Sequence, residues 1–131
     1  MTETTTRCAV LVVEDDEAVQ HLLRTMLKKF CTTVDYASDG EAAIALLQNG
    51  HYDIVVLDLM LPKMNGFRVA EAMRTLSRHP KVIVLSAISR YFYDSFPGET
   101  ILLQKPFEID QLEGAIRTLQ ATNEQRTVPG G

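Results

Sequence analysis

The chain has 131 residues, which suits one domain and leaves little room for a second. A hydrophobic fraction of 46% with 23% charged residues is enough for a core and excludes a disordered polymer. Thirteen basic against 17 acidic residues leave a net charge of −4, with no basic cluster to hold nucleic acid, and no apolar stretch approaches the ~20 residues of a membrane helix.

The N-terminus is polar and threonine-rich without an apolar signal core, so residues 1–6 read as a flexible tail and the protein as cytoplasmic. Cys8–Val13 is the first apolar run. Two cysteines, Cys8 and Cys31, are too few for a disulfide framework in a chain able to build its own core. Neither lies in a Cys-x-x-Cys motif. Cys8 reads as a small buried hydrophobe, and no redox or nucleophilic role is expected of either.

A helix follows, with Val19, Leu22, Leu23, Met26, Leu27 and Phe30 on one stripe. Thr33–Ala37 is a weaker, more polar strand. Asp39 and Gly40 precede a second helix over Glu41–Gln48, which Asn49 and Gly50 end. Ile54–Leu57 is a continuous apolar strand, and a third helix spans Phe67–Ser77 before His79 and Pro80. Val82–Leu85 and Ile101–Leu103 are further apolar runs. The last helix starts near Glu108 and carries Ile109, Leu112, Ile116 and Leu119 on one face; Gly114 weakens it by about 1 kcal/mol relative to Ala. Residues 122–131 read as a second flexible tail.

Strands without polar alternation belong to a parallel sheet covered on both faces, and their alternation with helices predicts a doubly wound α/β fold. Ligands of such sheets bind at the carboxyl ends of the strands. There the sequence places Glu14-Asp15-Asp16, Asp58, Ser86 and, just after the last strand, Lys105. Clustered carboxylates need a cation or must take up protons. Hard oxygen donors without His or Cys point to Mg²⁺, which shares its sites with phosphate. Asp58 is then the natural phosphoryl acceptor, Ser86 a hydroxyl donor to a phosphoryl oxygen, and Lys105 a neutralising point charge. Singly, each residue has a plainer explanation: Asp15 or Asp16 as a helix cap, Asp58 in a loop, Ser86 in a turn, Lys105 as a solvated charge. Their joint position at four strand ends favours the chemical reading.

The segments Val10–Glu17, Asp53–Gly66, Val84–Ala87 and Lys105–Phe107 closely resemble the receiver domain of two-component response regulators, over about residues 7–121. Most specific is an Asp with Pro four and Gly eight residues on: Asp58, Pro62 and Gly66. The resemblance implies a flavodoxin-like sheet of five parallel strands in order 2-1-3-4-5, with helices on both faces. It implies Asp58 as phosphorylation site, Glu14, Asp15, Asp58 and the Met60 carbonyl as Mg²⁺ ligands, Ser86 as switch hydroxyl and Lys105 as phosphate-binding lysine. Ala87 matches a small residue that leaves the acceptor accessible, and a cis bond is implied before Pro106. The implied partners are a histidine kinase or phosphotransfer protein and an unidentified downstream protein. Neither nucleic acid nor membrane is expected to be bound directly; self-association is compatible with the family. The domain is expected to assist its own phosphorylation and dephosphorylation rather than act as an enzyme.

The chain departs from the family between Ser86 and Lys105, where the spacing is about three residues short. The helix between the fourth and fifth strands is therefore expected to be short or irregular. Leu102 stands where the family has its switch aromatic, while Tyr91, Phe92, Tyr93 and Phe96 crowd the connection before Pro97 and Gly98. These aromatics either form a partner surface or pack over the sheet in place of a full helix. Met60 and Ile88 stand two residues beyond Asp58 and Ser86, at places that in the family influence how water reaches the aspartyl phosphate; as both are apolar, the resemblance implies slow self-dephosphorylation. Among rivals, a phosphohydrolase of the haloacid dehalogenase type needs a second Asp where Met60 stands. A flavin site would be repelled by Glu14-Asp15-Asp16, and a dinucleotide enzyme needs a Gly-x-Gly-x-x-Gly motif that is absent. The nearest alternative is a receiver-like interaction module whose output does not depend on phosphorylation.

Overall fold

The computed structural model describes the backbone of residues 6–59, 65–86, 96–104 and 107–127, and side chains within 8–59, 65–85, 96–104 and 107–121. Five parallel strands, β1 (Thr6–Val13), β2 (Cys31–Ala37), β3 (Ile54–Asp58), β4 (Lys81–Ser86) and β5 (Thr100–Gln104), form one sheet in the order β2-β1-β3-β4-β5. The helices are α1 (Glu17–Leu27), α2 (Gly40–Asn49), α3 (Gly66–Arg74) and α4 (Ile109–Thr127).

The apolar runs are explained by burial on both faces. Along β1, Val10 and Val12 face a core made with Leu23, Met26 and Leu27 of α1 and Leu112, Ile116 and Leu119 of α4. Leu11 and Val13 face the opposite core, made with Ala43 and Leu47 of α2 and Val69, Ala70 and Met73 of α3. Side chains alternate across a strand, so a strand covered on both sides must be apolar at every position. Edge strand β2 is half exposed, which is why its pattern is more polar. Lys81, only 7% exposed, opens β4 and sends its Nζ to the Leu119 carbonyl oxygen at 2.9 Å, tying α4 to the sheet.

Most boundaries shift by a residue or two, β1 starting at Thr6 among them, and three shifts have a visible reason. The helix α3 stops at Arg74 instead of Ser77, where Thr75 and Leu76 turn back on the Ala72 and Met73 carbonyls. Strand β2 begins at Cys31, two residues early, because Cys31 is buried against α1 and α4. The tail expected from residue 122 is helical as far as Thr127. The apolar stripe ends at Leu119, but adding a residue to an existing helix costs little, and Glu124, Gln125 and Arg126 are good helix formers. The expected short helix between the fourth and fifth strands falls on residues 87–95, outside the described residues.

Candidate functional site

At the carboxyl end of β1 the three acids part company. Glu14 is 4% exposed, and its backbone N–H donates to the Ala37 carbonyl at 2.9 Å, continuing the sheet one residue past β1. Asp16 caps α1: its carboxylate accepts from the N–H groups of Ala18 at 2.8 Å and Val19 at 3.3 Å. Its own N–H donates to Glu14 Oε2 at 3.2 Å. The exposed Asp15 lies between them. A residue that the sequence did not single out steadies this turn: the Gln20 side-chain amide, one turn into α1, donates to the Glu14 carbonyl. Its signal is faint, since a lone Gln on a helix usually faces water.

Asp58 ends β3 with 2% of its surface exposed, and the Leu59 N–H donates to the Leu85 carbonyl at 3.1 Å. Strand register then fixes the neighbours. Val13 pairs with Leu57, so Glu14 and Asp58, each the next residue, stand abreast on adjacent strands whose axes lie about 4.8 Å apart. Asp58 pairs with Leu85, and Ser86 pairs with Gln104, the residue before Lys105. The sheet therefore delivers Glu14 and Asp58 to one rim as buried carboxylates, with the backbone of Ser86 beside them. The Ser86 hydroxyl and Met60, Ala87, Ile88, Tyr91, Phe92, Tyr93, Lys105 and Pro106 lie outside the described residues and side chains. Asp53, at the opposite end of β3, serves structure: its carboxylate accepts from the Ala9 N–H at 2.8 Å.

Two neighbouring buried carboxylates favour a cation between them. Among the described residues no group of three or more His, Cys, Asp or Glu side chains is set to hold a metal. Mg²⁺ requires less: one or two carboxylates, with the remaining positions filled by waters and a phosphate. Glu14 and Asp58 fit that requirement in number and in donor type.

Comparison with known proteins identifies the family. A family model described as "Response regulator receiver domain" matches residues 10–117. The chain belongs to the response regulator receiver domain family. This receiver domain is 35% identical over 112 residues to the transcriptional regulatory protein DltR of Streptococcus agalactiae, covering 82% of this chain and 50% of that protein. It is 36% identical over 113 residues to the transcriptional regulatory protein TcrA of Mycobacterium tuberculosis, covering 84% of this chain and 45% of that protein. The chain thus spans about half the length of the curated relatives it matches. A crystal structure of the response regulator protein TrrA of Thermotoga maritima, in complex with Mg(2+)-BeF, is 31% identical with a TM-score of 0.69, covering 86% of this chain and 98% of that one. Among the described residues of the receiver domain, no helix is long and apolar enough to cross a membrane.

Of the aromatics between Ser86 and Lys105, Phe96 is described. It is 7% exposed and packs in the core shared with α2 and α3, so this member of the group covers the sheet. Gly98 follows it closely, and a Cβ there would meet the Pro80 carbonyl oxygen at 2.3 Å. Only a glycine lets the connection pass so near that backbone. The sequence showed Gly98 only as the residue that follows Pro97 after the aromatic segment, without the neighbour that requires it.

Proposed function

We propose that this receiver domain accepts a phosphoryl group on Asp58 from a histidine kinase or a phosphotransfer protein in the cytoplasm, and passes the signal to a downstream protein partner. The observation that carries the reading is the pair of buried carboxylates, Glu14 and Asp58, abreast at one rim of the sheet. Glu14, Asp15 and Asp58, with the Met60 carbonyl, are the residues that would hold Mg²⁺, which at such a site screens carboxylate charge from the phosphoryl oxygens. The TrrA complex with Mg(2+)-BeF supports that choice of ion.

An Asp58 carboxylate oxygen attacks phosphorus as the bond from phosphorus to the donor's imidazole nitrogen breaks, and the imidazole leaves with the bonding pair. The Ser86 hydroxyl donates to one phosphoryl oxygen and the Lys105 ammonium neutralises another. Burial of Asp58 keeps bulk water from the acyl phosphate, and the work of the chain is positioning and charge neutralisation. Intact-mass measurement after acetyl phosphate and Mg²⁺ tests this. One added phosphoryl group is expected on the parent and none on Asp58→Asn or without the ion. A parent that stays unlabelled would favour the interaction module that works without phosphate.

A further inference from the structure

At the end of the sheet remote from the carboxylates, two side chains that lie far apart in the sequence meet. Cys8 of β1 and Cys31 of β2 are both free thiols, 6% and 2% exposed, on the same face of adjacent parallel strands. The register runs Thr6 with Cys31 and Ala9 with Thr33, with an irregularity between that brings Cys8 alongside Cys31 and Thr32. The Thr32 hydroxyl locks this arrangement: the Cys8 N–H donates to it at 3.3 Å, and it donates to the Cys8 carbonyl at 3.2 Å. The Cys31 Sγ lies 2.8 Å from the Cys8 Sγ, inside ordinary sulfur contact. Neighbouring strands also hold their backbones within the Cα separations that a disulfide accepts.

We propose that Cys8 and Cys31 form an oxidisable dithiol, a modification site that a peroxide converts to an intrachain disulfide. Both electrons come from the thiols. The Cys8 thiolate attacks a peroxide oxygen, the O–O bond breaks, and a first water leaves once the departing oxygen takes up a proton. The Cys31 sulfur then attacks the sulfenic sulfur of Cys8, the S–O bond breaks, and a second water leaves with the Cys31 proton. Two thiols and one hydrogen peroxide thus give one disulfide and two waters.

The surroundings favour Cys8 as the first nucleophile. The Cys31 thiol donates to it and lowers its pKa against the opposing pull of burial, with a smaller lowering contribution from the Lys81 ammonium. The same hydrogen bond, together with burial, raises Cys31, which fits the resolving role. The 23-residue separation explains why no Cys-x-x-Cys motif announces the pair.

The native, fully reduced chain is to be treated with hydrogen peroxide, quenched, unfolded and alkylated. Expected is the loss of two hydrogen masses, no alkylation, a Cys8–Cys31 cross-linked peptide, and full return to two alkylatable thiols after dithiothreitol. Thermal unfolding of the oxidised chain should rise by roughly 10 °C, because the bond closes a loop in the unfolded state. Two thiols still open to alkylation would overturn the proposal. So would oxidation confined to sulfinic acids or to bonds between chains. The parent chain carries this result, so a folding defect in Cys8→Ser or Cys31→Ser does not affect it. Phosphoryl labelling plays no part in the readout.

Discussion

Gly98 and Gly114 are chemically identical and demand opposite things of a side chain. At Gly98 a methyl group meets the Pro80 backbone, whereas at Gly114, on the exposed face of α4, nothing lies within 4 Å of an added Cβ. Gly98→Ala is expected to lower unfolding stability by about 1–3 kcal/mol through overpacking, and Gly114→Ala to raise it by about 1 kcal/mol through helix propensity. Urea titration of both variants checks the pair. The sequence could flag the cost of Gly114 but not its lack of compensation, since only coordinates reveal open space. Tyr52 gives a pH signature. Burial, followed by a 2.6 Å hydrogen bond to Asp35, pushes its pKa up to about 12. A phenol whose pKa is higher when folded contributes stability in full below its unfolded value near 10, and loses it as pH rises toward about 12. Stability measured across that window should fall more steeply for the parent than for Tyr52→Phe; equal slopes would contradict the assignment.

Three of the four described helices owe their starts to single polar side chains: Asp16 for α1, Asp39 for α2 and Asn65 for α3. Asp39 accepts from the Ala42 N–H at 2.8 Å, and Asp39→Ala should cost about 1 kcal/mol of unfolding free energy with little effect on labelling of Asp58. Asp16→Ala should cost a similar amount, but should also slow labelling, because loss of the carboxylate cap frees the first turn of α1, from which the Gln20 amide reaches the Glu14 carbonyl. Rates of phosphoryl gain on the two variants separate them. At this scale β3 and β4 were easy to read, since burial on both faces leaves an unbroken apolar run. Strand β2 was harder, because an edge strand lies partly open to solvent and carries polar residues. The end of α4 at Thr127 was invisible to a search for apolar stripes, since the sequence beyond Leu119 continues no apolar stripe. The acids were legible as a group and not individually. Either Asp15 or Asp16 could cap the helix on sequence grounds, and hydrogen bonds to the N–H groups of α1 assign the role to Asp16.

Across the whole molecule, the site depends on register more than on any local motif. Glu14, Asp58 and the end of β4 come from segments about 30–45 residues apart, and strand pairing sets them level. That arrangement was readable because the strand runs stop immediately before these residues. The connection after β4 was harder to read, since its aromatics fit no periodic pattern. If the carboxylates take Mg²⁺ in the folded state alone, ion at about a hundredfold its Kd should stabilise the fold by about 2.7 kcal/mol. Thermal melts with and without the ion test it, and Asp58→Asn should lose most of the shift. The Lys81 ammonium has a consequence for any fusion or truncation made on the C-terminal side of this unit. Its acceptor, Leu119, lies deep in the closing helix, among the residues that roof one face of the sheet. A chain cut or spliced before that point would not merely lose a peripheral segment. It would uncover hydrophobic floor and withdraw a ligand from an interior cation, so any viable seam must fall downstream of Leu119.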